Sequence, residues 1–187
     1  MVAVVDLWLP IVVSAVLVFI ASSVIHMVLQ IHKSDFKKLP VEDGVMEDLR
    51  ARGVPPGLYV FPCARSMQEM KSPEMLEKRR RGPVGFLTVL PSGEVNMGKN
   101  LLQWFLFSLV VGLFAGYVGG LAEGPGAPAR EVLRVTSTVA FAGYALTNAT
   151  DSIWKGVPWS VTAKFAFDGL VYALLTGAAF AWLWPGA

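Results

Sequence analysis

The chain has 187 residues, 54% of them apolar, and a formal net charge of +2. With glycine counted, the apolar share is about 64%, against roughly 45–50% in an average soluble domain, while charged residues are 16% against roughly 25%. This balance excludes a disordered chain, a nucleic-acid-binding tail and an ordinary soluble enzyme, and the single cysteine, Cys63, excludes an internal disulfide framework or a cysteine-based zinc site.

Residues 7–31, LWLPIVVSAVLVFIASSVIHMVLQI, form the first of four runs that reach the length of about 20 apolar residues needed to cross a bilayer. The run lacks a basic leader and a small-x-small cleavage site, so it reads as a span and not as a removable signal. Pro10 falls in its first turn, where a missing N–H does little harm.

A polar stretch of about 68 residues follows, too long for a plain turn. Pro40 opens VEDGVMEDLRAR, a short helix with acids first and arginines last, stopped by Gly53. LYVF, at 58–61, reads as a strand between prolines. Ser72-Pro73-Glu74 supplies an N-cap, a first-turn proline and an acid for a helix that runs to Arg81. GFLTVL, at 85–90, is a second strand before the turn Pro91-Ser92-Gly93. The run Lys78-Arg79-Arg80-Arg81 suits anionic lipid headgroups, or serves simply to fix topology.

GEVNMGKN, at 93–100, nearly fits the phosphate-binding loop, but Asn100 replaces the hydroxyl that would hold magnesium. A turn with Lys99 reaching toward headgroups explains the same letters, so neither nucleotide nor nucleic acid is expected as a partner, and no cofactor. The second run, 101–121, carries Gly112, Gly116 and Gly120 at four-residue spacing. The third, 132–153, is weakened by Thr136, Ser137, Thr138, Thr147, Asn148 and Asp151, and is either a crossing or a re-entrant segment. The fourth, 161–184, is broken only by Lys164 and Asp168 and carries Gly169, Ala173, Gly177 and Ala181. Such small-residue stripes let helices approach closely, within one chain or against another subunit.

Of the 16 Lys and Arg, 12 lie between the first two runs, Lys155 and Lys164 flank the third turn, and only Arg130 and Arg134 lie opposite. The positive-inside rule therefore places the long segment in the cytoplasm and both termini outside. The third run must then cross. The tryptophans fit two interfacial belts, with Trp8, Trp182 and Trp184 outside and Trp104, Trp154 and Trp159 inside. The expected fold is an all-α transmembrane four-helix bundle with a small α+β cytoplasmic segment: residues 1–32, 33–99 and 100–187 in turn.

The two histidines are His26 and His32, six residues apart. On a regular helix they point about 120° apart, so no metal pair is expected, and His32 is expected to be solvated. Asp168 and His26 lie at matching depth from the cytoplasmic end, in a polar layer with Gln103, Asn148 and Lys164. A buried ionisable group normally faces the bundle and marks function or a partner. Asp168 is expected to pair either with His26 across the bundle or with Lys164, four residues before it on the same helix.

The stretches HMVLQIHKSDFKKLP, PGLYVFPC, GPVGFLTVLPSG and DSIWKGVPW resemble a group of uncharacterised small bacterial four-helix inner-membrane proteins. The resemblance covers most of the chain and implies a bacterial inner-membrane location without implying an activity. Three functions are open to such a chain. The favoured one is a non-catalytic accessory subunit, assembled with copies of itself or with other membrane subunits. The second is a small oligomeric transporter or channel using Asp168 and His26. The third, a membrane enzyme, lacks a visible nucleophile–base pair or metal cluster.

Overall fold

The computed structural model describes Met1–Gly186; Ala187, the expected outward-facing end, lies outside the described residues. The chain is mostly helical and divides into two compact units, one made of residues 1–36 with the chain from Asn96 onward, the other of Lys37–Val95.

The first unit begins with a 3-10 turn, Val4–Leu7, that leads into α1, Trp8–Ser23. A π-helical turn, Val24–Leu29, continues it. The helix stops at Gln30, whose backbone is left-handed with φ of 50°. A non-glycine residue there costs on the order of 1–3 kcal/mol unless its surroundings hold it. Here the Gln30 N–H donates to Ile25 O, and Lys33 N–H donates to Gln30 O, so the reversal is pinned on both sides.

The second unit contains α2, Glu42–Ala51; β1, Gly57–Phe61; α3, Met67–Met70; α4, Pro73–Arg81; and β2, Gly85–Val89. The strands pair antiparallel, with Tyr59 opposite Leu87. Ser72 Oγ accepts from the Met75 N–H at the start of α4, satisfying one of the free donors of its first turn. Lys78, Arg79, Arg80 and Arg81 form its exposed last turn.

The chain returns to the first unit through α5, Met97–Ala122, capped by Asn96 Oδ1 accepting from the Lys99 N–H. Then come α6, Ala129–Tyr144; a 3-10 turn, Leu146–Asn148; α7, Ala149–Lys155; and α8, Trp159–Trp182. Three helices are long and apolar enough to cross a membrane: Val4–Leu29, Met97–Ala122 and Trp159–Trp182. The third apolar run does not form one long helix. The α6 segment has 16 residues, about 24 Å, short of the roughly 30 Å hydrocarbon thickness. It breaks where Asn148 Nδ2 donates to the carbonyls of Tyr144 and Ala145.

Two buried clusters form the core of the first unit. One packs Leu7, Ile11, Ala115, Val132, Phe180 and Trp184. The other packs Val18, Ile25, Val111, Ala140, Tyr144, Tyr172 and Ala173. The small-residue stripes are used within the chain. A Cβ on Gly112 would meet Ser14 Oγ at 3.1 Å, one on Gly116 would meet Phe180 at 3.0 Å, and one on Gly120 would run into the Val2 carbonyl. Gly169 lies against the backbone of Ala145, and Gly177 against Leu133 O and Ser137. Two of the tryptophans are held by hydrogen bonds within the chain. Trp184 is buried and donates to Gly124 O, and the partly buried Trp104 donates to Ser22 Oγ.

Candidate functional site

The site lies at the end of the first unit where the first long helix stops and α5 and α8 begin. Asp168 faces inward from α8 and is 2% exposed. Its Oδ2 accepts from His32 Nε2 at 2.7 Å, while His26 Nε2 stands 3.7 Å from the same oxygen, beyond hydrogen-bond reach. The tight partner is thus His32, which the sequence places in solvent, and the expected His26 contact is the looser one.

The π-helical turn explains the difference. A rotation of 100° per residue holds only on a regular α-helix. The chain leaves that geometry at Val24 and reverses at Gln30, folding His32 back beside His26. The two imidazoles stack with centroids 4.7 Å apart and planes 29° apart, and Phe165 covers His32 at 4.5 Å. The expected divergence of the two rings is therefore wrong. One ligand atom from each of His26, His32 and Asp168 lies within 4.8 Å of the other two.

Lys164 does not pair with Asp168. Its Nζ donates to Asp35 Oδ1 at 2.5 Å, to Ile31 O at 2.9 Å and to Ser34 Oγ at 3.0 Å. Asp35 Oδ2 in turn meets His32 Nδ1 at 2.6 Å. The Lys164 hydrogen bond holds the Asp35 carboxyl below its ordinary value, with His32 adding to the effect against the opposing cost of desolvation. A continuous chain of contacts therefore runs Lys164–Asp35–His32–Asp168, with His26 at its margin. Its lysine charge is spent on Asp35, so Asp168 has no permanent cation in contact.

His26 and Asp168 line a cavity of about 750 Å³ among the helices, with Trp104, Tyr144, Asn148 and Tyr172 on its walls. Among the described residues, two buried side-chain polar atoms have no hydrogen-bond partner: Asp168 Oδ1 and the Tyr172 hydroxyl. Both residues line this cavity. Buried polar atoms are almost always paired, so these two, on residues that line one cavity, stand out as exceptions.

The expected polar layer is corrected in its membership. Gln103 is exposed and does not line the cavity. Asn148 lines it, although its amide nitrogen is bound to the carbonyls behind it. His32 and Asp35 are the residues that periodicity misses. The spacing His32-x-x-Asp35 was a usable signal, because residues three apart in a turn can bond.

No family model, curated protein or solved structure matches the chain.

Proposed function

We propose that the chain is a multi-pass integral membrane protein that acts as a small transporter or channel for a cation, with His26, His32 and Asp168 as its polar station. The carrying observation is a cluster of ionisable side chains, including a carboxylate only 2% exposed, at a cavity inside an apolar helical body. Such groups are costly there and usually mark a substrate or ion pathway.

Membrane insertion is supported by the long apolar helices and by apolar side chains that the helical body leaves uncovered. Trp8, Val12, Val16 and Ile20 form one exposed stripe along α1, and Leu102, Leu106, Leu113 and Phe114 remain exposed on α5. In this reading α6 and α7 together make a bent fourth crossing. The charge imbalance puts Lys37–Val95 in the cytoplasm and both termini outside. The resemblance to small bacterial proteins suggests the inner membrane. The cavity then opens from the cytoplasmic half, and the cluster of Leu7, Ile11, Phe180 and Trp184 closes the outer half.

The accessory-subunit reading draws less support from the glycine stripes, because these pack against residues of the same chain. Flux into proteoliposomes of the purified chain tests the transport reading, with K⁺, Mg²⁺ and Zn²⁺ offered in turn. At least one should enter faster than into empty liposomes, and Asp168→Asn should slow it. Flux of all three at the empty-liposome level would sink the reading.

A further inference from the structure

We propose that His26, His32 and Asp168 form a three-ligand site for a divalent first-row transition-metal ion such as Zn²⁺, with a remaining position open to the cavity and Asp35 orienting His32. The site sharpens the cation reading above and rests on it for its role, but metal binding is measured separately from flux.

The donor set selects the metal class. Two imidazoles and one carboxylate suit zinc, iron, cobalt, nickel or copper, whereas magnesium and calcium take oxygen ligands. Three protein ligands with an open position is the pattern of zinc sites that hold a water or a substrate. A tetrahedral ion with bonds of about 2.0–2.1 Å keeps its ligand atoms roughly 3.3 Å apart. The separations from Asp168 Oδ2 are 2.7 Å to His32 Nε2 and 3.7 Å to His26 Nε2, one on each side of that value. Coordination replaces the proton between His32 Nε2 and Asp168 Oδ2, and that proton leaves to solvent, as metal binding to imidazole requires.

The surroundings fit the same ion. A metal-ligating histidine ordinarily gives its other nitrogen to a carboxylate, which fixes the ring. His32 Nδ1 does this with Asp35 Oδ2 at 2.6 Å, and Lys164 neutralises Asp35 from the far side. His26 is 42% exposed at its side chain, on the face where an ion would enter. Asp168 Oδ1, buried and without a hydrogen-bond partner on a residue that lines the cavity, is not explained by the His32 bond.

The full chain, purified in detergent without a polyhistidine tag, is stripped with chelator and equilibrated with Zn²⁺ or Co²⁺. About one Zn²⁺ per chain should remain after unbound ion is removed, and Co²⁺ should give a visible absorption band that Zn²⁺ abolishes. His26→Gln should weaken Zn²⁺ binding by at least the roughly 10-fold typical of losing an outer-shell partner. Because His26 is partly exposed, this variant should keep its helical content, and Asp168→Asn serves as the second variant. Wild-type zinc content far below one per chain, or unchanged affinity in a folded His26→Gln, overturns the site. Flux of K⁺ or Mg²⁺ without zinc binding overturns the site and leaves the transport reading standing. Zinc binding without flux does the reverse.

Discussion

His32 and Asp168, 136 residues apart in sequence, meet through Nε2 and Oδ2 at 2.7 Å. The contact ties the reversal after the first long helix to the buried face of α8, and through Asp35 it recruits Lys164 from the same helix.

A double-mutant cycle measures that tie. Asp168→Asn and His32→Gln each leave a polar partner stranded, and losing both strands fewer groups than the sum. The two effects on unfolding free energy should be non-additive by about 0.5 kcal/mol or more, as for residues in direct contact. Strict additivity would separate them. Lys164→Gln should couple in the same way to Asp35→Asn, the residue that Lys164 touches.

Close packing along the glycines makes a graded prediction. Gly177→Ala places a methyl 3.0 Å from Leu133 O and Gly169→Ala one 3.0 Å from the Ala145 backbone, neither of which can rotate away. Each should cost about 1–3 kcal/mol, the usual range for overpacking. Gly116→Leu, against Phe180, should also lower the melting temperature. Gly124→Ala, with open space around it, should not. Equal melting temperatures for all four would mean that the helices sit further apart.

Topology is testable with the one native thiol. Cys63 is exposed, so an impermeant maleimide should label it only after cells are opened if Lys37–Val95 is cytoplasmic. In a Cys63→Ser background, Gly124→Cys should label in intact cells. The opposite pattern would invert the orientation.

The loop-like sequence before α5 should not bind nucleotide. Asn96 is committed to capping Lys99, and no hydroxyl follows the lysine. Saturable ATP binding that is lost in Lys99→Ala would contradict this.

The regular parts of the fold were legible because their signals are local. Ser72-Pro73 marks the start of α4, and the short runs bounded by prolines and a turn around residues 58 and 86 mark the paired strands. Hydropathy located the three long helices for the same reason. The break after Tyr144 was visible only as a weak, polar run, because it depends on where the Asn148 amide bonds. The candidate site was half legible. Burial chemistry singles out Asp168 and His26 from sequence, since ionisable residues in apolar helices are rare. Regular helical periodicity misplaces His32, because a π-helical turn and a left-handed Gln30 alter the rotation between the histidines and neither has a sequence signature. Depth along the helix points to Gln103 but does not say which way its side chain faces, and the residue is exposed.

The most direct test of the central cluster uses the small number of histidines. With imidazole ¹⁵N labelling, the folded chain gives signals from His26 and His32 only. If both rings lie at Asp168, then Asp168→Asn should shift both sets of signals, His32 more than His26, as their 2.7 Å and 3.7 Å separations require. Two histidines that keep the same ¹⁵N shifts in wild type and in a folded Asp168→Asn would contradict the cluster.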